Sequence, residues 1–72
     1  AAVRLLIERG ANLNAKGRYG LTLLHIYAQR GNRIQVQLLL EYGANVNVRD
    51  NIGHTPLFLA NYHGHEAVAE LL

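Results

Sequence analysis

The feature that most constrains the fold of this chain is a regular internal repeat. When the sequence is shifted by 33 positions, residues 1–39 pair with residues 34–72, and 14 of these 39 pairs are identical. The phrase "RGANLN" at residues 9–14 returns as "YGANVN" at residues 42–47. Regular self-similarity at a spacing of about 20–50 residues is typical of proteins built from stacked structural units. One such unit cannot bury all of its apolar surface, so we expect neighbouring units to stack on each other.

Each unit begins with a short helix whose ends are marked by specific residues. Thr55 followed by Pro56 predicts a helix start, because Thr is a good N-cap and Pro is tolerated at the first helical position. We expect this helix to run over "PLFLANYH" and to end at Gly64. Thr22 and Gly31 bound the corresponding helix of the preceding unit, "LLHIYAQR". In each of these helices one leucine, Leu24 or Leu57, is expected to pack against both neighbouring units.

A second helix follows each tight turn. The segment "RIQVQLLLEY" predicts a helix that Asn32 caps and that Gly43 ends with a positive φ. Its apolar residues are expected to be buried: Ile34, Val36, Leu38, Leu39 and Leu40. The next segment, "GANVNVRDNIGH", is too rich in Asn and Gly for a helix and predicts an extended turn or loop.

The segments "GHTPLFLANYHGHEAVAELL" and "LLLEYGANVNVRDNIG" resemble the ankyrin repeat. That family's pattern contains the phrases T-P-L-H, G-H and G-A-D-V-N in this order. The resemblance covers the whole chain and implies the end of one repeat at 1–16, a complete repeat at 17–49 and a truncated repeat at 50–72. It implies an all-α solenoid of stacked helix-turn-helix units with projecting β-turn loops, and we expect the chain to be a window from a longer array. The chain departs from the family's pattern at these positions: Asn12, Gly17, Leu23, Tyr27, Asn45, Phe58 and Asn61.

The residue types give little support for catalysis. The chain contains no Ser and no Cys, so the commonest hydroxyl and thiol nucleophiles are missing. The glycines recur with the repeat and do not cluster into a phosphate-binding loop. We therefore predict that this chain is not an enzyme and uses no cofactor. The absence of Cys suits a reducing compartment, which favours an intracellular (cytoplasmic or nuclear) location, and no apolar run is long enough to cross a membrane.

Four histidines raise the question of a metal site. His63 and His65 are two residues apart with Glu66 beside them, and His54 lies on the preceding loop. Zinc needs three or four converging ligands, and we expect the His63 and His65 rings to diverge on either side of a glycine turn. The resemblance implies that His25 and His65 serve in structural hydrogen bonding. We predict no metal site.

The charges argue against nucleic-acid binding as the main function. The net charge is only +2, and acidic residues are interspersed among the cations. The cations that could share one side are Lys16, Arg18, Arg30, Arg33 and Arg49. Two alternatives stay open: non-specific binding of nucleic acid or an acidic surface, and a non-binding structural segment of a larger enzyme or effector.

The resemblance implies a protein–protein interaction module that binds its partner through loop tips and the concave face of the first helices. Candidate contact residues are the positions that differ between the copies where exposure is expected. They are Arg18, Tyr19, Leu21, Gln29, Arg30, Asn51, Ile52, His54, Tyr62 and His63. The large side chains Tyr19, Leu21, Ile52 and Tyr62 are expected to act as interface anchors. The resemblance also makes Asn14 and Asn47 candidates for hydroxylation by an oxygen-dependent asparaginyl hydroxylase.

Overall fold

A computed structural model describes residues 2–72, with side chains from Val3 onward. This part of the chain contains five helices and no strand. The helices are α1 (Ala2–Glu8), α2 (Leu23–Arg30), α3 (Arg33–Glu41), α4 (Pro56–Tyr62) and α5 (Glu66–Leu71). A single 3₁₀ turn lies at Arg18–Gly20. The predicted all-α class is confirmed.

The helices stack in two layers. Helix α2 packs against α3 within one unit, and α4 packs against α5 within the next. Between units, α2 lies against α4, α3 lies against α5, and α1 lies against α3. First helices (α2 and α4) therefore form one layer, and second helices (α1, α3 and α5) form the other, as the sequence repeat predicts.

The first helices begin where their threonines predict. Thr22 Oγ1 accepts a hydrogen bond from the backbone N–H of His25 at 3.4 Å, and Thr55 Oγ1 accepts one from that of Phe58 at 3.2 Å. Asn32 occupies the N-cap position of α3 as expected, but its side chain makes no capping hydrogen bond, so the expected side-chain cap is wrong. Both threonines have extended backbones with ψ of 172° and 163°, whereas Asn32 has ψ of 81°. An extended residue directs its side-chain oxygen over the first turn, and Asn32 is not extended.

Glycines with positive φ follow the helical segments as expected, at Gly31, Gly43 and Gly64. Gly31 follows α2 with φ of 73°, and Gly43 follows α3 with φ of 89°. A left-handed residue at this place lets the last carbonyls of a helix find backbone donors, and glycine adopts that conformation without a Cβ clash. Ala44 N–H accordingly donates to the Leu39 carbonyl at 3.0 Å.

The apolar core lies between the two helix layers and under the loops. Its buried members are Val3, Leu13, Leu24, Ala28, Val36, Leu39, Ala60 and Val68. The predicted burial of Ile34 is wrong, since its side chain is largely exposed. The core face of α3 passes through Val36 and Leu39, and Ile34 lies about 160° around the helix from Val36.

The predicted burial of Leu57 is also wrong. Leu24 is 1% exposed, whereas Leu57, its counterpart in the next unit, is 40% exposed. Helix α4 covers α2, but no further first helix covers the equivalent side of α4 within the described residues. No helix in this part of the chain is long and apolar enough to cross a bilayer.

Candidate functional site

Buried His25 fastens the start of α2 to the loop of the next unit. Its Nδ1 lies 3.1 Å from the Thr22 backbone nitrogen, and its Nε2 lies 2.8 Å from the His54 carbonyl oxygen. A backbone N–H must donate and a carbonyl must accept, so Nδ1 is the acceptor and Nε2 carries the proton. The expected structural role of His25 is confirmed.

His65 makes a second connection between units. Its Nε2 donates to the Gln29 carbonyl at 3.0 Å, which joins the start of α5 to the end of α2. The expectation that the His63 and His65 rings diverge is wrong, because they stack with centroids 6.4 Å apart. Gly64 between them has φ of 75°, and this sharp turn brings both rings to the same side. Within residues 2–72, no group of three or more His, Cys, Asp or Glu side chains could hold a metal ion.

Backbone and side-chain hydrogen bonds hold the loops of consecutive units side by side. Asn51 N–H donates to the Tyr19 carbonyl at 3.0 Å, and Lys16 Nζ donates to the Arg49 carbonyl at 2.8 Å. These two bonds link residues 16–19 to residues 49–51. The loop tips therefore form one continuous edge of the solenoid.

The asparagines of the G-A-N phrases bond to backbone. Asn12 Oδ1 accepts from Asn14 N–H, and Asn45 Oδ1 accepts from Asn47 N–H, both at 2.9 Å. Asn14 Oδ1 also accepts the Asn45 N–H of the following unit at 2.6 Å. These bonds show how the side chains shape the turns, and hydroxylation of Asn14 and Asn47 stays a prediction.

Asp50 organises the loop that carries Asn51 and Ile52. Its Oδ1 accepts hydrogen bonds from the backbone N–H groups of Ile52 at 2.9 Å and His54 at 2.8 Å. Burial raises the pKa of this carboxyl, but the two hydrogen bonds and the electrostatic influence of the nearby His54 and His25 side chains lower it by more, so the pKa lies below its ordinary value. The carboxylate is therefore ionised at neutral pH, with its charge directed into the loop.

The structure places the ten predicted contact residues in two adjoining groups. Leu21 and His54 are half-buried and the other eight are exposed. The loop residues of the two units meet at the hydrogen bond between Tyr19 and Asn51. The helix-end residues also come from adjacent elements, because α2 packs along α4.

A row of aromatic rings connects the loop group to the helix-end group. The His54 and Phe58 rings stack with centroids 4.3 Å apart, and the Phe58 and Tyr62 rings stack at 5.9 Å. The Tyr62 ring then meets the edge of the His63 ring at 5.2 Å. Sequence reasoning noted Phe58 only as a departure from a family pattern and did not connect it with the candidate contact residues His54 and Tyr62. Its place four residues after His54 and four before Tyr62 was the available signal.

Comparison with known proteins agrees with this architecture. A family model described as "Ankyrin repeats (3 copies)" matches residues 1–72. No curated protein sequence matches the chain. The match spans the full sequence, and the structure has the helix pairs, loop spacing and threonine caps that the repeat predicted. The chain belongs to the ankyrin-repeat family.

Proposed function

We propose that this chain recognises another protein through its loop tips and the exposed ends of its first helices. Ankyrin repeats are generally non-catalytic protein–protein interaction modules. The observation that supports this surface is the exposure of its large side chains. Ile52 is 77% exposed, Tyr62 is 75% exposed and Tyr19 is 67% exposed. None of these three side chains belongs to the apolar core. Large side chains of this kind, and tyrosines above all, are favoured as interface anchors.

The scaffold holds these anchors in place before any partner arrives. His25, Asn51 and His65 each donate a hydrogen bond to a neighbouring unit. The Tyr62 ring stacks on the Phe58 ring one turn earlier in α4, with centroids 5.9 Å apart. An anchor that is ordered in the free protein loses less conformational entropy on binding, so more of the contact energy appears as affinity.

Two exposed residues outside the surface provide matched controls. Ile34 is about as exposed as Ile52, and Tyr42 is a largely exposed tyrosine like Tyr62. Ile34 lies on α3 and Tyr42 directly follows it, in the layer of second helices. Exposure alone therefore does not define the surface. Position on the loops and first helices distinguishes Ile52 and Tyr62 from their controls.

A photo-crosslinking residue at position 52, compared with one at position 34, tests the proposal in extracts of the native host. We expect one defined protein to crosslink at position 52 and not at position 34. With that protein purified, Tyr19→Ala and Tyr62→Ala should each weaken binding by roughly 1–2 kcal/mol with little change in melting temperature. Tyr42→Ala should leave the affinity unchanged. Normal binding by the Tyr19/Tyr62 double variant would contradict the proposal.

A further inference from the structure

The two adjacent loops carry a surface in which cations surround exposed apolar groups. We define this loop-tip surface by Lys16, Arg18, Tyr19, Arg49, Asn51 and Ile52, all of which are exposed. The loops are joined by the bond from Asn51 N–H to the Tyr19 carbonyl and by the bond from Lys16 Nζ to the Arg49 carbonyl. A partner therefore meets one surface, and not two independent loops.

No carboxylate opposes the cations on this surface. Asp50 is the single acidic residue in the two loops, and its side chain is only 6% exposed. Its Oδ1 accepts hydrogen bonds from the backbone N–H groups of Ile52 and His54, and its Oδ2 lies 3.8 Å from His54 Nδ1. The remaining carboxylates belong to the second-helix layer: Glu8 in α1, Glu41 in α3, and Glu66 and Glu70 in α5. The loop edge is therefore cationic although the whole chain is close to neutral.

Tyr19 adopts a backbone conformation that is unfavourable for its residue type. Its φ is 62° and its ψ is 18°, and it is the one non-glycine residue with positive φ among residues 2–72. Gly or Asn would relieve this strain, because both enter the left-handed region more readily than Tyr. Strained residues cluster at binding sites, where the surrounding structure maintains them. At this position the phenol ring is 67% exposed, so it adds little to the core that could account for the strain.

We propose, on the basis of the protein-recognition function above, that the loop-tip surface binds an acidic, extended segment of a partner protein. An aliphatic or aromatic side chain of that segment packs between Tyr19 and Ile52. Its flanking carboxylates lie against Lys16, Arg18 and Arg49, because complementary charge favours that register. Ile52 is 77% exposed and offers an apolar contact to a peptide side chain, which favours a peptide over a nucleic acid because bases stack on aromatic or guanidinium planes and not on aliphatic groups.

Selection of random twelve-residue peptides by display on the full chain tests the proposal without a known partner. We expect the enriched peptides to carry net negative charge around an aliphatic or aromatic residue. Arg18→Glu should weaken their binding about tenfold or more. Arg33→Glu makes the same charge change at an exposed position on α3 and should have little effect.

Two asparagine substitutions separate binding from folding. Tyr19→Asn removes the ring and relieves the backbone, so it should weaken peptide binding about tenfold while the melting temperature stays equal or rises. Ile52→Asn, at the same position of the other loop, should weaken binding without any rise in melting temperature, since Ile52 has no positive φ to relieve. A fall in melting temperature with Tyr19→Asn would show that the tyrosine is there for stability.

The remaining outcomes distinguish this inference from the proposed function. Enriched peptides that are neutral or basic, yet still depend on Tyr62, would overturn the acidic specificity and leave the protein-recognition surface intact. Peptides whose binding is unaffected by substitution of Tyr19, Ile52 and Tyr62 would overturn both the acidic specificity and the protein-recognition surface. A failure to enrich any peptide would overturn both as well. A twelve-nucleotide oligothymidine that binds the parent chain more tightly than every peptide, and is lost with Arg18→Glu, would identify a nucleic-acid surface instead.

Discussion

Two equivalent loops of consecutive units, 17–22 and 50–55, share one closing hydrogen bond but differ in backbone conformation and in internal contacts. In both, the first residue's N–H donates to the carbonyl of the fifth: Gly17 to Leu21 at 2.8 Å, and Asp50 to His54 at 3.0 Å. In the later loop, the Asp50 carboxylate adds two hydrogen bonds to backbone N–H groups. The earlier loop has no side chain at that position, because residue 17 is glycine.

The two loops have some contacts in common, and each has others of its own. Both loops contain the closing backbone bond, a Gly with positive φ and the Thr that caps the following first helix. Without a carboxylate, the earlier loop closes through a 3₁₀ turn that contains the left-handed Tyr19. The Asp50 loop is therefore supported from within, while the Gly17 loop has fewer internal bonds and a strained residue at its tip.

The largest difference in mutational effect on stability is expected between Leu24 and Leu57, which occupy equivalent positions in the two units. Leu24→Ala should lower the free energy of unfolding by about 2–5 kcal/mol, because Leu24 is buried and its loss leaves a cavity. Leu57→Ala should lower it by about 1 kcal/mol or less, because much of that side chain already contacts water. Urea unfolding of the full chain measures both values. Equal losses would show that Leu57 is covered in solution.

Sequence reasoning succeeded where the repeat itself carries the information. The period, the threonine caps and the positive φ of Gly43 all followed from local chemistry that recurs in each unit. The burial of Leu57 could not be read in this way, because identical residues in a stack differ in exposure according to what covers them. Ile34 was misassigned because a run of apolar residues at the end of α3 obscured which face passes through Val36 and Leu39.

The exposure of the candidate contact residues was largely predictable, but their organisation was not. Eight of the ten residues chosen from differences between the copies are exposed, and they lie on loops and helix ends. The link through Phe58 depends on ring orientations that no spacing specifies. The left-handed backbone of Tyr19 was equally hidden, since tyrosine ordinarily avoids that conformation.

Alanine substitutions of the glycines that follow the two first helices should differ less in their effect on the free energy of unfolding. Gly31 and Gly64 have φ of 73° and 75°, so alanine at either position should cost about 1 kcal/mol through backbone strain. At Gly31 a Cβ would also lie 2.5–2.7 Å from the His65 ring, whereas at Gly64 nothing lies within 4 Å. Gly31→Ala should therefore cost about 2–3 kcal/mol, since the ring and its hydrogen bond to Gln29 must also move. Thermal unfolding of both variants tests this, and equal losses would mean that His65 moves aside freely.

The Asp50 loop should make the stability of the chain depend on pH in the acid range. The folded-state pKa of Asp50 is lower than its ordinary value, so its contribution is present above a pH of about 4 and is lost as the pH falls through the folded pKa. Asp50→Asn should lower the free energy of unfolding at neutral pH by about 1 kcal/mol, the order expected for hydrogen bonds to a charged acceptor. The variant should also lose less stability than the parent as the pH falls below about 4. Parallel pH profiles for parent and variant would assign the acid sensitivity to other carboxyls.

The smallest expected effect is a gain in stability on substitution of Gly17, the counterpart of Asp50 in the other loop. Gly17 has φ of −102° and ψ of −145°, and this ψ lies outside the extended range that L-residues prefer. A Cβ there would meet only the Leu21 carbonyl oxygen at an ordinary 3.7 Å. Gly17→Asp can place a carboxylate where the N–H groups of Tyr19 and Leu21 correspond to those that Asp50 binds in its own loop. We expect a net gain of about 0.5 kcal/mol or less, because the shift of ψ offsets part of what these bonds and the reduced freedom of the unfolded chain contribute. Gly17→Ala separates the two contributions, because it restricts the unfolded chain without supplying an acceptor. If aspartate stabilises no more than alanine, the left-handed Tyr19 has already positioned these N–H groups away from residue 17, and the two loops are then distinct structures built on one repeat.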